Sequence, residues 1–180
     1  MLLGKSNTSK VIVLPNGTIR KTIDFTKPTA IKLNNILKSI YDKLHEYLEG
    51  VPPLIYHETR VLNHLSKYDI APKVISLNPD SITMTNVGAL VTKTTKFEDL
   101  PNRVNYIIKS LKEAGVNHND LRNSFQNYTC LNGKLYLIDF QIADIKDTIV
   151  SKVMKSKLKS RSWDDIKDLN WLVKQFEEIL

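Results

Sequence analysis

Hydrophobic periodicity switches several times along this chain, and the order of the switches is what most restricts its fold. Val11-Ile12-Val13-Leu14 and Thr18-Ile19-Arg20-Lys21-Thr22-Ile23 are rich in β-branched residues. Pro15-Asn16-Gly17 between them supplies turn chemistry, so the segment predicts a β-hairpin. Residues 28–48 turn helical, with Ile31, Ile36, Ile40, Leu44 and Leu48 as the expected stripe and Gly50 with Pro52-Pro53 as the stop. A second helix is expected over residues 54–68, with Val61, Leu62 and Leu65 facing the core. Residues 73–77 and 81–85 read as short strands about the turn Asn78-Pro79-Asp80. Residues 97–114 return to helix, and residues 134–138 form a strand after the Asn132-Gly133 turn. Residues 163–180 form a last helix, with Ile166, Leu169, Leu172, Val173, Phe176 and Ile179 on one side.

A β-rich beginning followed by a mainly helical remainder is an α+β pattern rather than a regular βαβ alternation. It predicts a two-lobed molecule, with a β-rich N-lobe over residues 1–88, a flexible connection at Gly88, and a short helical C-lobe over residues 89–180.

Composition narrows the setting. With 42% hydrophobic residues in 180, the chain can bury one compact core. No run approaches the ~18 apolar residues that span a bilayer, and the first ten residues hold no signal-like apolar core. A soluble, cytoplasmic protein is therefore expected, with no membrane partner. Cys130 is the single cysteine, sits in an apolar stretch and has no internal disulfide partner. The net charge of +7 implies an anionic partner: nucleotide phosphates, nucleic acid or acidic protein. Lys152, Lys155, Lys157, Lys159 and Arg161 form the most basic stretch and are the candidate nucleic-acid contact.

The chemistry concentrates in His118-Asn119-Asp120-Leu121, then Asn127, then the strand ending Leu137-Ile138-Asp139-Phe140-Gln141. Here the sequence resembles the protein-kinase-like superfamily, whose catalytic loop carries H-x-D with a downstream Asn and whose metal site carries D-F-G after the next strand. Asn119 replaces the Arg of regulated kinases. That is more similar to compact atypical members: RIO kinases, lipopolysaccharide- and aminoglycoside-type kinases, and the small kinase of the tRNA threonylcarbamoyladenosine machinery. Other elements occur in family order. Lys21 stands on an early strand, with Arg20 beside it pointing to the other face. Glu58 shares the inward face of Val61, Leu62 and Leu65 and needs a partner there. Gly4 opens a phosphate-covering loop over residues 4–11, and Thr85 and Val87 lie in the hinge, residues 84–88.

The resemblance implies ATP and Mg2+, or Mn2+ in its place, as cofactors. Asp139 and Asn127 are then the metal ligands, and Lys21, oriented by Glu58, contacts the phosphates. Asp120 accepts or orients the proton of an attacking hydroxyl, with serine or threonine of a protein as the default acceptor. His118 is expected to support the Asp139 turn. The usual loop puts its Asn five residues after the Asp, where this chain has Phe125. Asn127 is preferred to Asn123 because it precedes the strand-like Tyr128-Thr129-Cys130-Leu131. Asp168-Leu169 resembles the family's buried aspartate in the last helix. Ser6 and Ser9 in place of later loop glycines, and Gln141 in place of the D-F-G glycine, leave room for an alternative: a nucleotide-binding pseudokinase or scaffold. A basic nucleic-acid-associated factor is the third reading.

Overall fold

The computed structural model describes residues 2–5, 8–46, 48–121, 125–146, 148, 150, 152 and 164–177. Its first sheet grows from the Pro15-Asn16-Gly17 turn. Gly17 takes a left-handed φ of 81°, and Asn16 Oδ1 accepts from both the N–H and the hydroxyl of Thr18, at 3.1 and 2.7 Å. This closes β2 (Ser9–Val13) onto β3 (Ile19–Ile23) in continuous antiparallel register, with Lys21 opposite Val11. β1 (Leu2–Lys5) pairs with β2, placing Gly4 opposite Val11, so Gly4 belongs to a strand where a loop was expected. The sheet continues through β5 (Ser81–Met84) to β4 (Val74–Leu77), in the order β1-β2-β3-β5-β4.

Two helices follow β3. α1 (Pro28–Leu44) starts after Lys27, which is held extended by the proline that follows, and stops at His45 with a left-handed φ of 51°. Its buried face is Ala30, Leu33, Leu37, Ile40 and Tyr41, whereas Ile31 and Leu48 are exposed. The expected stripe had steps of four and five residues, which drift off one side of a 3.6-residue helix. α2 (Pro53–His64) packs against α1 and carries Glu58 into the interior.

Beyond Gly88, β6 (Ala89–Leu90), β8 (Tyr128–Leu131) and β9 (Lys134–Leu137) form one small sheet, and β7 (Val116–Asn117) and β10 (Asp144–Ile145) pair as another. α3 (Leu100–Ala114) begins later than its apolar pattern. Asp99 caps it by accepting the Asn102 N–H at 3.2 Å, and Gly115 ends it with a φ of 63°. α4 (Asp165–Glu177) is capped by Asp164, which accepts the Lys167 N–H at 3.0 Å. Leu169 and Leu172 are buried and Ile166 is exposed, while Trp163 and Ile179 lie outside the described residues. One apolar core runs from Ile19 and Leu37 through Leu62, Ile107 and Leu137 to Leu172. Cys130 is half-buried at its margin, with Sγ 3.7 Å from the Lys96 carbonyl oxygen. Among the described residues no helix is long and apolar enough to cross a membrane.

Gly88 marks the tightest crossing. It has a φ of 95°, and a Cβ there would fall 1.9 Å from the Cys130 carbonyl oxygen. Gly133 also has positive φ, but its Cβ would chiefly meet the movable side chain of Glu98. Gly88→Ala is therefore expected to cost on the order of 3 kcal/mol in urea unfolding, and Gly133→Ala about 1–2 kcal/mol. Equal losses would show that the backbone at Gly88 yields.

Candidate active site

Alternation along β3 leaves Arg20 exposed and turns Lys21 inward with Ile19 and Ile23. There the Lys21 ammonium lies 2.9 Å from Glu58 Oε1 and 2.7 Å from Asp139 Oδ1. Glu58 reaches it because α2 packs its Val61–Leu62–Leu65 face onto the core, leaving the carboxylate only 2% exposed. The same Oε1 accepts the Phe140 backbone N–H at 3.2 Å, so Glu58 binds the Asp139-Phe140 turn as well as the lysine. Burial alone would lower the Lys21 pKa, but Asp139 and then Glu58 outweigh it and raise it. Burial pushes Glu58 above the ordinary carboxylate range against the pull of Lys21, and the like charge of Asp139 adds to the rise. The two directions agree with one cation between two anions: the ammonium is fully compensated, while the deeper carboxylate shares its counter-ion.

Asp139 adopts a φ of 67°, a left-handed conformation unusual outside glycine and costing about 1–2 kcal/mol. The catalytic loop holds the peptide just before it. His118 Nε2 donates to the Ile138 carbonyl at 2.9 Å, its ring packs 4.4 Å from that of Phe140, and the Ile138 N–H donates to the Asn127 carbonyl at 3.1 Å. Asn127 Nδ2 in turn donates to the Asp120 backbone oxygen at 2.6 Å and to Asp120 Oδ2 at 3.1 Å. Asp120 is thus bonded to Asn127, and Asn127 to Ile138, the residue between β9 and Asp139. Asn127 directs its amide nitrogen at Asp120, which leaves its amide oxygen as the group suited to a hard cation. Asn123 lies outside the described residues.

Several supports are invisible in a motif scan. Asp165 Oδ2 and Oδ1 accept the backbone N–H groups of His118 and Asn119, at 2.6 and 3.1 Å. It is therefore Asp165, in the first turn of α4, and not Asp168 that ties the last helix to the catalytic loop. Burial raises the Asp165 carboxyl above its ordinary range, against His118 and these N–H donors. The Asp-Asp pair opening the helix was the available signal. Thr8, between β1 and β2, donates its hydroxyl to Gln141 Oε1 at 2.5 Å, reaching the residue after Asp139-Phe140. On α2, His57 Nε2 donates to the Ala143 carbonyl and Nδ1 accepts from Tyr41, both at 2.8 Å.

In the hinge, Thr85 spends its N–H and its hydroxyl on Lys73, both at 2.9 Å, and Val87 is buried. A small, half-open pocket lies beside His57 and Arg60, and none of Lys21, Glu58, Asp120 or Asp139 lines it. Of the basic stretch, only Lys152 is among the described residues.

No family model matches the chain. The KEOPS complex subunit Bud32 of Pyrococcus abyssi is 37% identical to it over 73 residues, which is 41% of this chain and 32% of that protein. The Rio2 kinase of Chaetomium thermophilum superposes with a TM-score of 0.53, covering 87% of this chain and 53% of its own, at 13% identity. The ADP/Mg2+-phosphoaspartate complex of the same kinase gives 0.59, covering 98% and 55%, also at 13% identity. This chain has a compact, atypical protein-kinase-like fold. The Bud32 match spans about a third of that protein's length, and the chain covers just over half of Rio2. α2 carries Glu58, and α1 packs against it.

His57 provides a pH signature of that packing. Burial pulls its pKa down to about 4, opposed by its bond to the Ala143 carbonyl. The unfolded chain binds a proton here as pH falls through ~6.5, whereas the folded chain does so only near the depressed value. The stabilisation is therefore complete above the unfolded value and is lost as pH falls toward the folded one. Between pH 7.5 and 4.5 the parent protein is expected to lose about 2.5 kcal/mol more stability than His57→Gln. Parallel unfolding profiles would exclude a buried neutral His57.

Proposed function

We propose that this chain is an ATP- and magnesium-dependent phosphotransferase acting on serine or threonine hydroxyls of a protein. The observation that carries the reading is the meeting of Lys21 with both Glu58 and Asp139, beside an Asp120 held by Asn127. The donor set suits the cofactor: a buried ammonium for phosphate oxygens, and carboxylate and amide oxygens for a hard divalent cation. Asp139 and Asn127 would hold magnesium, and Lys21, aligned by Glu58, would hold the α- and β-phosphates. Gly4 and the β1–β2 connection would cover them, and backbone groups around Thr85 and Val87 would meet the adenine. When bound, ATP with magnesium supplies the phosphoryl group and neutralises its charge. Asp120 positions the acceptor hydroxyl and takes its proton, with Asn127 Nδ2 fixing the carboxylate's orientation. With lobes divided at residue 88, such a site would lie between them.

Bud32 is a subunit of a complex, which favours a protein acceptor or partner here too. A second reading, nucleotide binding without turnover, is favoured by the saturation of Lys21 by two carboxylates and by the Thr8–Gln141 contact.

The test is incubation of purified protein and a generic protein acceptor with labelled ATP and magnesium. Asp120→Asn, Asp139→Asn and Lys21→Met are each expected to reduce label transfer by at least ~10²-fold. Thermal stabilisation by ATP with magnesium, without transfer in any preparation, would decide for the second reading. A hydroxylamine-labile label on the protein itself would assign the acceptor to a carboxylate instead.

A further inference from the structure

The segment following Asp139 is fastened almost residue by residue. Lys21 holds Asp139, Glu58 holds the Phe140 N–H, Thr8 holds Gln141, and His57 holds the Ala143 carbonyl. The innermost fastening belongs to Asp144, which is 0% exposed. Its Oδ1 accepts from Asn117 Nδ2 at 2.9 Å and its Oδ2 from Asn119 Nδ2 at 3.0 Å. Asn119 Nδ2 also reaches the Ile142 carbonyl at 3.1 Å, and its own N–H is held by Asp165. Asn119 manages this in a left-handed conformation, φ 65°, which asparagine tolerates better than most residues. Asp144 and Asn117 are also cross-strand partners in the β10–β7 ladder, which the Lys146 N–H extends to the Gly115 carbonyl at 2.6 Å.

A carboxylate so deeply buried carries a large desolvation penalty unless it is well hydrogen-bonded. Regulated kinases order this segment by adding a phosphate that arginine reads. Here asparagine stands at the H-x-D arginine position, and an anion from the segment itself meets it. We propose that Asp144 is a positioning residue whose carboxylate supplies, permanently, the anchoring anion that phosphorylation supplies elsewhere, so the site assembles without modification of the segment. The regulatory consequence rests on the phosphotransferase reading. The clamp itself does not.

The test uses hydrogen exchange of peptides covering residues 139–146 in the nucleotide-free full chain, together with turnover. Asp144→Asn leaves two amide nitrogens facing each other. It should speed exchange in this segment about tenfold or more while α3 stays protected, and lower kcat in parallel. Asn117→Asp combined with Asp144→Asn restores a complete donor–acceptor set and should recover protection. If Asp144→Asn does not fold, this exchanged pair carries the test alone. Phosphatase treatment should leave the parent's rate unchanged. Exchange in Asp144→Asn within twofold of the parent, an exchanged pair that stays unprotected, or activity lost to phosphatase would each overturn the proposal. An inactive parent with a protected segment would sink the phosphotransferase reading and still support the clamp.

Discussion

A lysine ammonium nearly excluded from water between two carboxylates is the constraint on which the rest of this fold depends. Lys21, Glu58 and Asp139 come from a strand, a helix and a turn, and each would be costly to bury alone. Removing one member of such a pair typically costs 3–5 kcal/mol, because the others are left uncompensated. The sheet must therefore present Lys21 inward, α2 must lie close to it, and the turn at Asp139 must tolerate a left-handed backbone.

The molecule devotes much of its remaining polar chemistry to those requirements. α1 braces α2 through the Tyr41–His57 bond and the Leu54 N–H on Asn34 Oδ1 at 3.2 Å, and Glu46, just beyond α1, accepts from Arg60 at 2.6 Å. α1 thus helps to fix the orientation of the helix that carries Glu58. From the other side, α4 uses Asp165 to hold the His118-Asn119 loop, and His118 and Asn127 hold the carbonyl and the N–H of Ile138. The result is a chain of short-range bonds from the last helix to Lys21, built with few residues. The chain covers only about half of Rio2 and still brings a lysine and carboxylates from distant segments together.

Residue pattern alone revealed more of the site than of its supports. Glu58 was legible because its spacing to Val61, Leu62 and Leu65 forces it inward, and Lys21 because β3 alternates. The resemblance points to Asp168, whereas the carboxylate that accepts the loop N–H groups is that of Asp165. Both begin an amphipathic helix, and only the position of that helix's first turn against the loop N–H groups separates them. The Thr8–Gln141 contact spans 133 residues and has no local signature. The expected α1 stripe drifts because its steps of four and five residues pass over Ala30, Leu33, Leu37 and Tyr41.

The sequence by itself determined the element order, the Asn-Gly turns, and the inward set of Lys21, Glu58 and the residues around Asp120 and Asp139. These are properties of period and local backbone preference, which neighbouring residues are enough to fix. Tertiary structure alone decided which carboxylates share the lysine, that Asn127 meets Asp120, that Asp144 is buried and that Asp165 holds the His118 and Asn119 N–H groups. Those outcomes depend on distance and desolvation between segments far apart in the chain. A carboxylate in solution looks the same in the sequence as one buried against two amides.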